Sequence, residues 1–91
     1  MHLEIVSPEQ IILSEEVNSV SVPGINGEFQ MLDHHAPVIS VLKKGSIKLD
    51  ASVSLPENSK SQFYKEHSKF CFDISGGVIE LKDNKVVVLI D

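Results

Sequence analysis

The densest group of side chains able to do chemistry is Asp33-His34-His35. His2, His67, Cys71 and the pair Glu15-Glu16 lie elsewhere. Two imidazoles and a carboxylate resemble a zinc donor set, but such a site needs three or four ligands converging on one ion. Adjacent residues of an extended chain point to opposite sides, so His34 and His35 do not easily share an ion. His2 and His67 add no His-x-His or His-x3-His spacing. A serine nucleophile on a strand-to-helix elbow needs Gly-x-Ser-x-Gly, and Ser75-Gly76-Gly77 lacks that context. No glycine-rich phosphate loop of either standard spacing occurs. Glu15-Glu16 reads as a solvated polar link. Cys71, between Phe70 and Phe72, reads as a packed, unreactive thiol, and a single cysteine forms no internal disulfide. No catalytic residue, cofactor or metal is assigned, which leaves a binding or structural module.

The stretch best suited to binding is Val22–Pro37. It holds two of the five glycines, two of the four prolines and two of the four histidines. Pro23-Gly24 is a turn signal, since proline presets φ and glycine supplies a positive φ at the next position. Asn26-Gly27 is a hairpin signal. In the run that follows, Phe29 and Met31 share one face, Glu28 and Gln30 the other. His35, beside Ala36-Pro37 in a stiff loop, is either an interface hydrogen-bonding group or a loop histidine tied to nearby backbone.

Short alternating runs must position these residues. Strands are expected at residues 2–6, 10–14, 17–22, 28–32, 38–42, 46–50, 70–74, 78–82 and 85–90, with Ser7-Pro8-Glu9 breaking the first. Asp83-Asn84 is a two-residue hairpin turn, because both residues tolerate left-handed backbone. Gly76-Gly77 permits close backbone approach or a bulge. Val86–Ile90 is apolar throughout, as a central strand is. Residues 51–69 read as a long hairpin excursion with a mobile tip near 56–60 and a return strand starting at Phe63-Tyr64. No window shows a 3.6-residue period. About nine short strands joined by tight turns make an all-β sandwich or flattened barrel, one domain over residues 1–91. A net charge of −5 argues against nucleic acid and against anionic lipid. No signal peptide opens the chain, and no apolar run reaches the roughly 20 residues a membrane helix needs, so no direct membrane insertion is expected.

Together these motifs resemble a family. Ser7-Pro8-Glu9, Val22-Pro23-Gly24, Gly27-Glu28, Met31-Leu32, His35-Ala36-Pro37, Leu42-Lys43-x-Gly45, Ser75-Gly76-Gly77-Val78-Ile79-Glu80 and Asn84-Lys85-Val86-x-Val88-Leu89 are similar, in order and spacing, to the N-terminal β-sandwich of the epsilon subunit of bacterial F-type ATP synthase. Residues 51–69 are the weakest part of the likeness. The resemblance implies a ten-stranded, non-catalytic rotor subunit. It would grip the gamma subunit of the central stalk and rest on the polar loops of the membrane c-ring, coupling proton-driven rotation to ATP synthesis at the cytoplasmic face of a bacterial plasma membrane. It places Gly27, Glu28, Phe29, Met31, His35 and Pro37 toward the ring, and Ser7, Pro8 and Glu9 toward gamma. His34 stands where the family has glycine, so a positive φ there would be costly, although histidine tolerates one better than most residues. Family members continue into a helical hairpin that inhibits hydrolysis and in some cases binds ATP. This sequence reaches Asp91, where that hairpin would start, so neither property is expected of these residues. The alternatives are a free-standing ligand-binding or adaptor sandwich, which requires a concave apolar pocket, and a small metal enzyme on a barrel.

Overall fold

Period-two alternation of apolar residues decides the architecture of this computed structural model, which describes residues 1–91. Ten strands form: β1 His2–Val6, β2 Ile11–Glu16, β3 Ser19–Gly24, β4 Gly27–Leu32, β5 Val38–Leu42, β6 Gly45–Asp50, β7 Tyr64–Glu66, β8 Lys69–Ile74, β9 Gly77–Lys82 and β10 Lys85–Ile90. They make one curled sheet in the order β2-β1-β10-β9-β5-β3-β6-β8-β7, with β4 paired to the other side of β3. The link between β5 and β3 is a single residue pair, Gly24 with Leu42. The sheet folds over at that corner into two five-stranded halves, β2-β1-β10-β9-β5 and β4-β3-β6-β8-β7. Leu3, Ile5, Val86, Val88, Ile79 and Leu81 of the first half are buried with Val20, Val22, Met31, Ile47 and Leu49 of the second. Pairing is antiparallel except between β1 and β10, which run parallel and join the first strand to the last.

Several expectations shift by a residue or more. Glu15 and Glu16 are not a link but the end of β2, opposite Leu3 and His2. Gln10 lies outside the strand, in the turn after β1. Its amide and carbonyl both bond to Ser7, which fixes the Ser7–Gln10 turn. A bulge after Ile5 lets both Ile12 and Leu13 face the core. Val17 precedes β3 and is buried. β10 is flanked by β1 and β9, as a central strand should be, yet only Val86 and Val88 are fully buried, while Leu89 is 53% exposed. The apolar run of β10 therefore reaches the outer face as well, at Val87 and Leu89.

Residues 51–63 depart furthest from expectation. They are not a loose excursion. Val53 and Phe63 are buried in the core and Leu55 packs against it. Phe63 and Phe72 meet with ring centroids 5.0 Å apart. The Ser59 and Lys60 amides both donate to the Pro56 carbonyl, a short 3-10 turn spans Lys60–Gln62, and the fully buried Ser59 hydroxyl donates to the Ile12 carbonyl at 2.6 Å. The segment covers the exposed edge of β2, as unpaired edges in native sheets commonly are. The return strand also splits. Tyr64–Glu66 is a separate edge strand hairpinned to β8 through His67-Ser68, both with positive φ. β8 then pairs with β6.

Candidate partner-binding surfaces

The β3–β4 hairpin turns one position before the Asn26-Gly27 signal and two after the Pro23-Gly24 signal. Pro23 and Gly24 remain in β3, where Gly24 pairs with Gly27, and the turn is Ile25-Asn26. Only Gly27 among the glycines has positive φ, 123°. The Pro23-Gly24 signal was one of close approach rather than of a turn. A Cβ on Gly24 would stand 2.8 Å from the Phe29 ring, and one on Gly45 would stand 2.7 Å from Pro23.

Along β4 the side chains alternate. Phe29 pairs with Val22 and packs against the core, and Met31 pairs with Val20 and is fully buried. Met31 is therefore withdrawn from any contact surface. The outward residues are Glu28, Gln30 and Leu32. Glu28 forms an ion pair with Lys48 of β6 at 3.0 Å, and this carboxylate raises the Lys48 pKa. Between them lies Ser21, level with both Gln30 and Lys48 in the ladder and small enough for the lysine stem to pass over. A groove of about 410 Å3 opens here, lined by Glu28, Gln30, Lys48, His67 and Lys69 among others, with Phe29 and Cys71 its only apolar walls. It is a polar surface depression, not the apolar pocket a ligand-binding sandwich would require. Burial pushes the Cys71 thiol up, in keeping with the packed role read for it.

The loop Asp33–Pro37 lies at the other end of β4. Gly27 and Glu28 are thus separated from His35 and Pro37 by the length of that strand, about 17 Å at 3.4 Å per residue. The loop is exposed throughout, yet it is tied down. The His34 amide donates to Asn84 Oδ1 at 2.8 Å, and the His35 amide donates to the Leu32 carbonyl at 3.2 Å. His34 has φ 63°, the left-handed conformation anticipated at the position where glycine is usual. For a residue with a Cβ this costs about 1–2 kcal/mol. His35 Nδ1 lies 2.7 Å from the Ala36 carbonyl and so donates to it, leaving Nε2 free. The Met1 amino group, 2.5 Å from Asp33 Oδ1, holds that carboxyl below its usual range. Asp83 and Asn84 both have positive φ, the hairpin geometry read from the sequence.

A second surface, which reading by motif missed, lies on the outer face of the first half. Register places Val41 beside Val78, Val78 beside Leu89, Leu89 beside Val6, and Val6 beside Ile11. Residues opposite one another in a ladder project on the same side, so five apolar side chains form one row across β5, β9, β10, β1 and β2. At about 4.8 Å per strand the row is roughly 19 Å long. Val41, Val78, Leu89 and Ile11 are all exposed, Ile11 by 59%, and Ile39 on β5 extends the patch at 76%. The row ends at the Ser7–Gln10 turn, where Pro8 and Glu9 are exposed. Contiguous exposed apolar surface of this kind marks an interaction site. The signal was present in Ile39 and Val41 of β5 and in Val87 and Leu89 of β10, outward positions that are apolar where a solvated face would be polar.

A family model for the β-sandwich domain of the ATP synthase delta/epsilon chain matches residues 1–91. The chain belongs to that family. It is 38% identical over 87 residues to the ATP synthase epsilon chain of Chlorobaculum tepidum, covering 96% of this chain and 84% of that one. It is 42% identical over 89 residues to the epsilon chain of Nitratidesulfovibrio vulgaris, covering 98% of this chain and 56% of the relative. It therefore spans little more than half the length of some epsilon chains it matches. Among solved structures, a chain of the Tetrahymena thermophila mitochondrial ATP synthase central stalk and c-ring superposes with TM-score 0.68 at 14% identity, over 99% of this chain and 62% of that one. A chain of the Euglena gracilis mitochondrial ATP synthase superposes with TM-score 0.71 at 22% identity, over 97% and 48%. At those identities the likeness establishes the fold. The epsilon-type sandwich thus carries two unlike outer faces, one crossed by an apolar row over five strands and one polar along β4. No helix in it is long and apolar enough to cross a membrane.

Proposed function

We propose that this chain is a non-catalytic subunit of the central stalk of an F-type ATP synthase, held between the gamma subunit and the polar loops of the c-ring. It would pass torque from the proton-driven ring toward the catalytic head, as a peripheral component at the cytoplasmic face of a bacterial plasma membrane. Membership in the epsilon family supports the reading. The single observation that carries it is the apolar row Val41–Val78–Leu89–Val6–Ile11 on one face of the sandwich, with Glu28, Gln30 and Leu32 on the other half.

The apolar row, continued by Ser7, Pro8 and Glu9, is assigned to gamma. A permanent contact buries about 800 Å2 per partner and is more apolar than average at its centre. The β4 face and the loop to Pro37 are assigned to the ring, whose loops are polar and match a charged, hydrogen-bonding surface. Gly27 contributes the turn that presents Glu28, and Pro37 stiffens the loop that presents His35. Preset loops reduce the ordering cost of docking.

The test is binding of surface variants to purified gamma and to purified c-ring. Val78→Asp, which puts a charge within the apolar row, should weaken gamma binding by at least about tenfold and leave ring binding intact. Glu28→Lys should do the reverse, with the larger change in association rate and a shallower or inverted dependence on salt. If each variant bound both partners as the parent does, the reading would fall.

A further inference from the structure

We infer that Asn84, in the β9–β10 turn, is the positioning residue for the Asp33–Pro37 loop, holding it in the conformation that docks on the rotor. The inference rests on the reading above, in which that loop is a contact surface. Asn84 is 50 residues from His34 in sequence, yet its side-chain oxygen accepts from the His34 amide at 2.8 Å. Its side-chain nitrogen makes a longer contact, 3.5 Å, with Asp33 Oδ1. Its own carbonyl accepts from the His2 amide at 3.1 Å. One residue thereby connects the loop, the β9–β10 turn and the first strand.

The bond is placed where the loop most needs it. His34 is the one loop residue in left-handed backbone, and a strained conformation persists only where its surroundings over-determine it. Every residue from 32 to 37 is exposed, so packing does not supply that constraint. The only other backbone bond made by an amide of the loop is that of His35 to the Leu32 carbonyl. Without the Asn84 bond, the His34 amide would turn to water and the loop could relax to ordinary negative φ. His35 and Pro37 would then have to be ordered on docking, an entropic cost that pre-organisation removes.

The test compares Asn84→Gly with Asp83→Gly in the full chain, free and bound to a gamma–c-ring rotor. Asn84 has φ 60° and Asp83 φ 52°, so glycine keeps the turn at either position. Only the first variant removes the bond to His34. The expected result for Asn84→Gly is faster exchange of the His34 amide, by about tenfold or more. Dissociation from the rotor should be roughly 3- to 10-fold faster. Asp83→Gly should match the parent in both. Unchanged His34 exchange in Asn84→Gly would overturn the inference. So would faster exchange with unaltered rotor dissociation while His35→Ala and Glu28→Lys weaken binding. If His35→Ala and Glu28→Lys both bind the rotor as the parent does, the ring reading itself has failed and the docking role falls with it. The His34 exchange rate still distinguishes that failure from absence of the clamp.

Discussion

Asp50 closes the β2–β3 corner through its carboxylate alone. It accepts from the Asn18 amide at 3.0 Å, the Ser19 amide at 3.4 Å, the Asn18 side chain and the Ser52 hydroxyl. Burial by itself would raise its pKa, but these donors outweigh burial and hold it below the ordinary 3.8. Asp73 is lowered likewise by the Ser46 and Tyr64 hydroxyls. A depressed folded pKa means stability that is complete above the unfolded value, near 3.8, and is lost as pH falls through the folded one. Urea titrations should show Asp50→Ala less stable by about 1–2 kcal/mol at pH 7. Its deficit relative to the parent should shrink below pH 4, where the parent loses the same contribution. At this scale the sequence was legible where chemistry dictates backbone. His34 at a glycine position and Asp83-Asn84 in a tight turn are both left-handed, as their types suggest. It misled where one residue type serves two purposes. Gly24 is required for close approach to Phe29, not for positive φ.

Among the elements, alternating strands were readable because burial on one face imposes a period of two. The segment 51–63 was not readable, because its anchors are single residues without a period: Val53, Leu55, Ser59 and Phe63. A polar composition concealed that the segment caps the β2 edge. Thermal and urea unfolding should expose this. Phe63→Ala should cost about 3 kcal/mol through the cavity it leaves beside Phe72. Ser59→Ala should cost about 1–2 kcal/mol by orphaning the Ile12 carbonyl. In a small domain with roughly 5–10 kcal/mol in total, both are large effects. Were the segment the solvated tip its composition suggests, both substitutions would be nearly neutral. The same reasoning explains why Met31 could not be assigned from motif position. It belongs to the contact stretch in sequence but to the inward parity of β4 in space, whereas Gln30 and Leu32 were overlooked on the outward parity.

At the scale of the whole molecule, two five-stranded halves packed about 10 Å apart give a compact, stiff body. Its compact dimensions, 30 × 25 × 24 Å, leave little to deform. Such a body suits transmission between two partners better than chemistry in a cleft. The fold class was legible from turns and alternation, but the apolar row was not, because it assembles from five strands and exists only once their registers are set. Site-directed cross-linking in a reconstituted gamma–c-ring complex tests this most directly. Cys71 is buried, so an introduced thiol at Val78 or at Glu28 would be the reactive one. The account predicts that Val78→Cys cross-links to gamma and Glu28→Cys to the c-ring. Both positions cross-linking to one and the same partner, or neither to either, would contradict it.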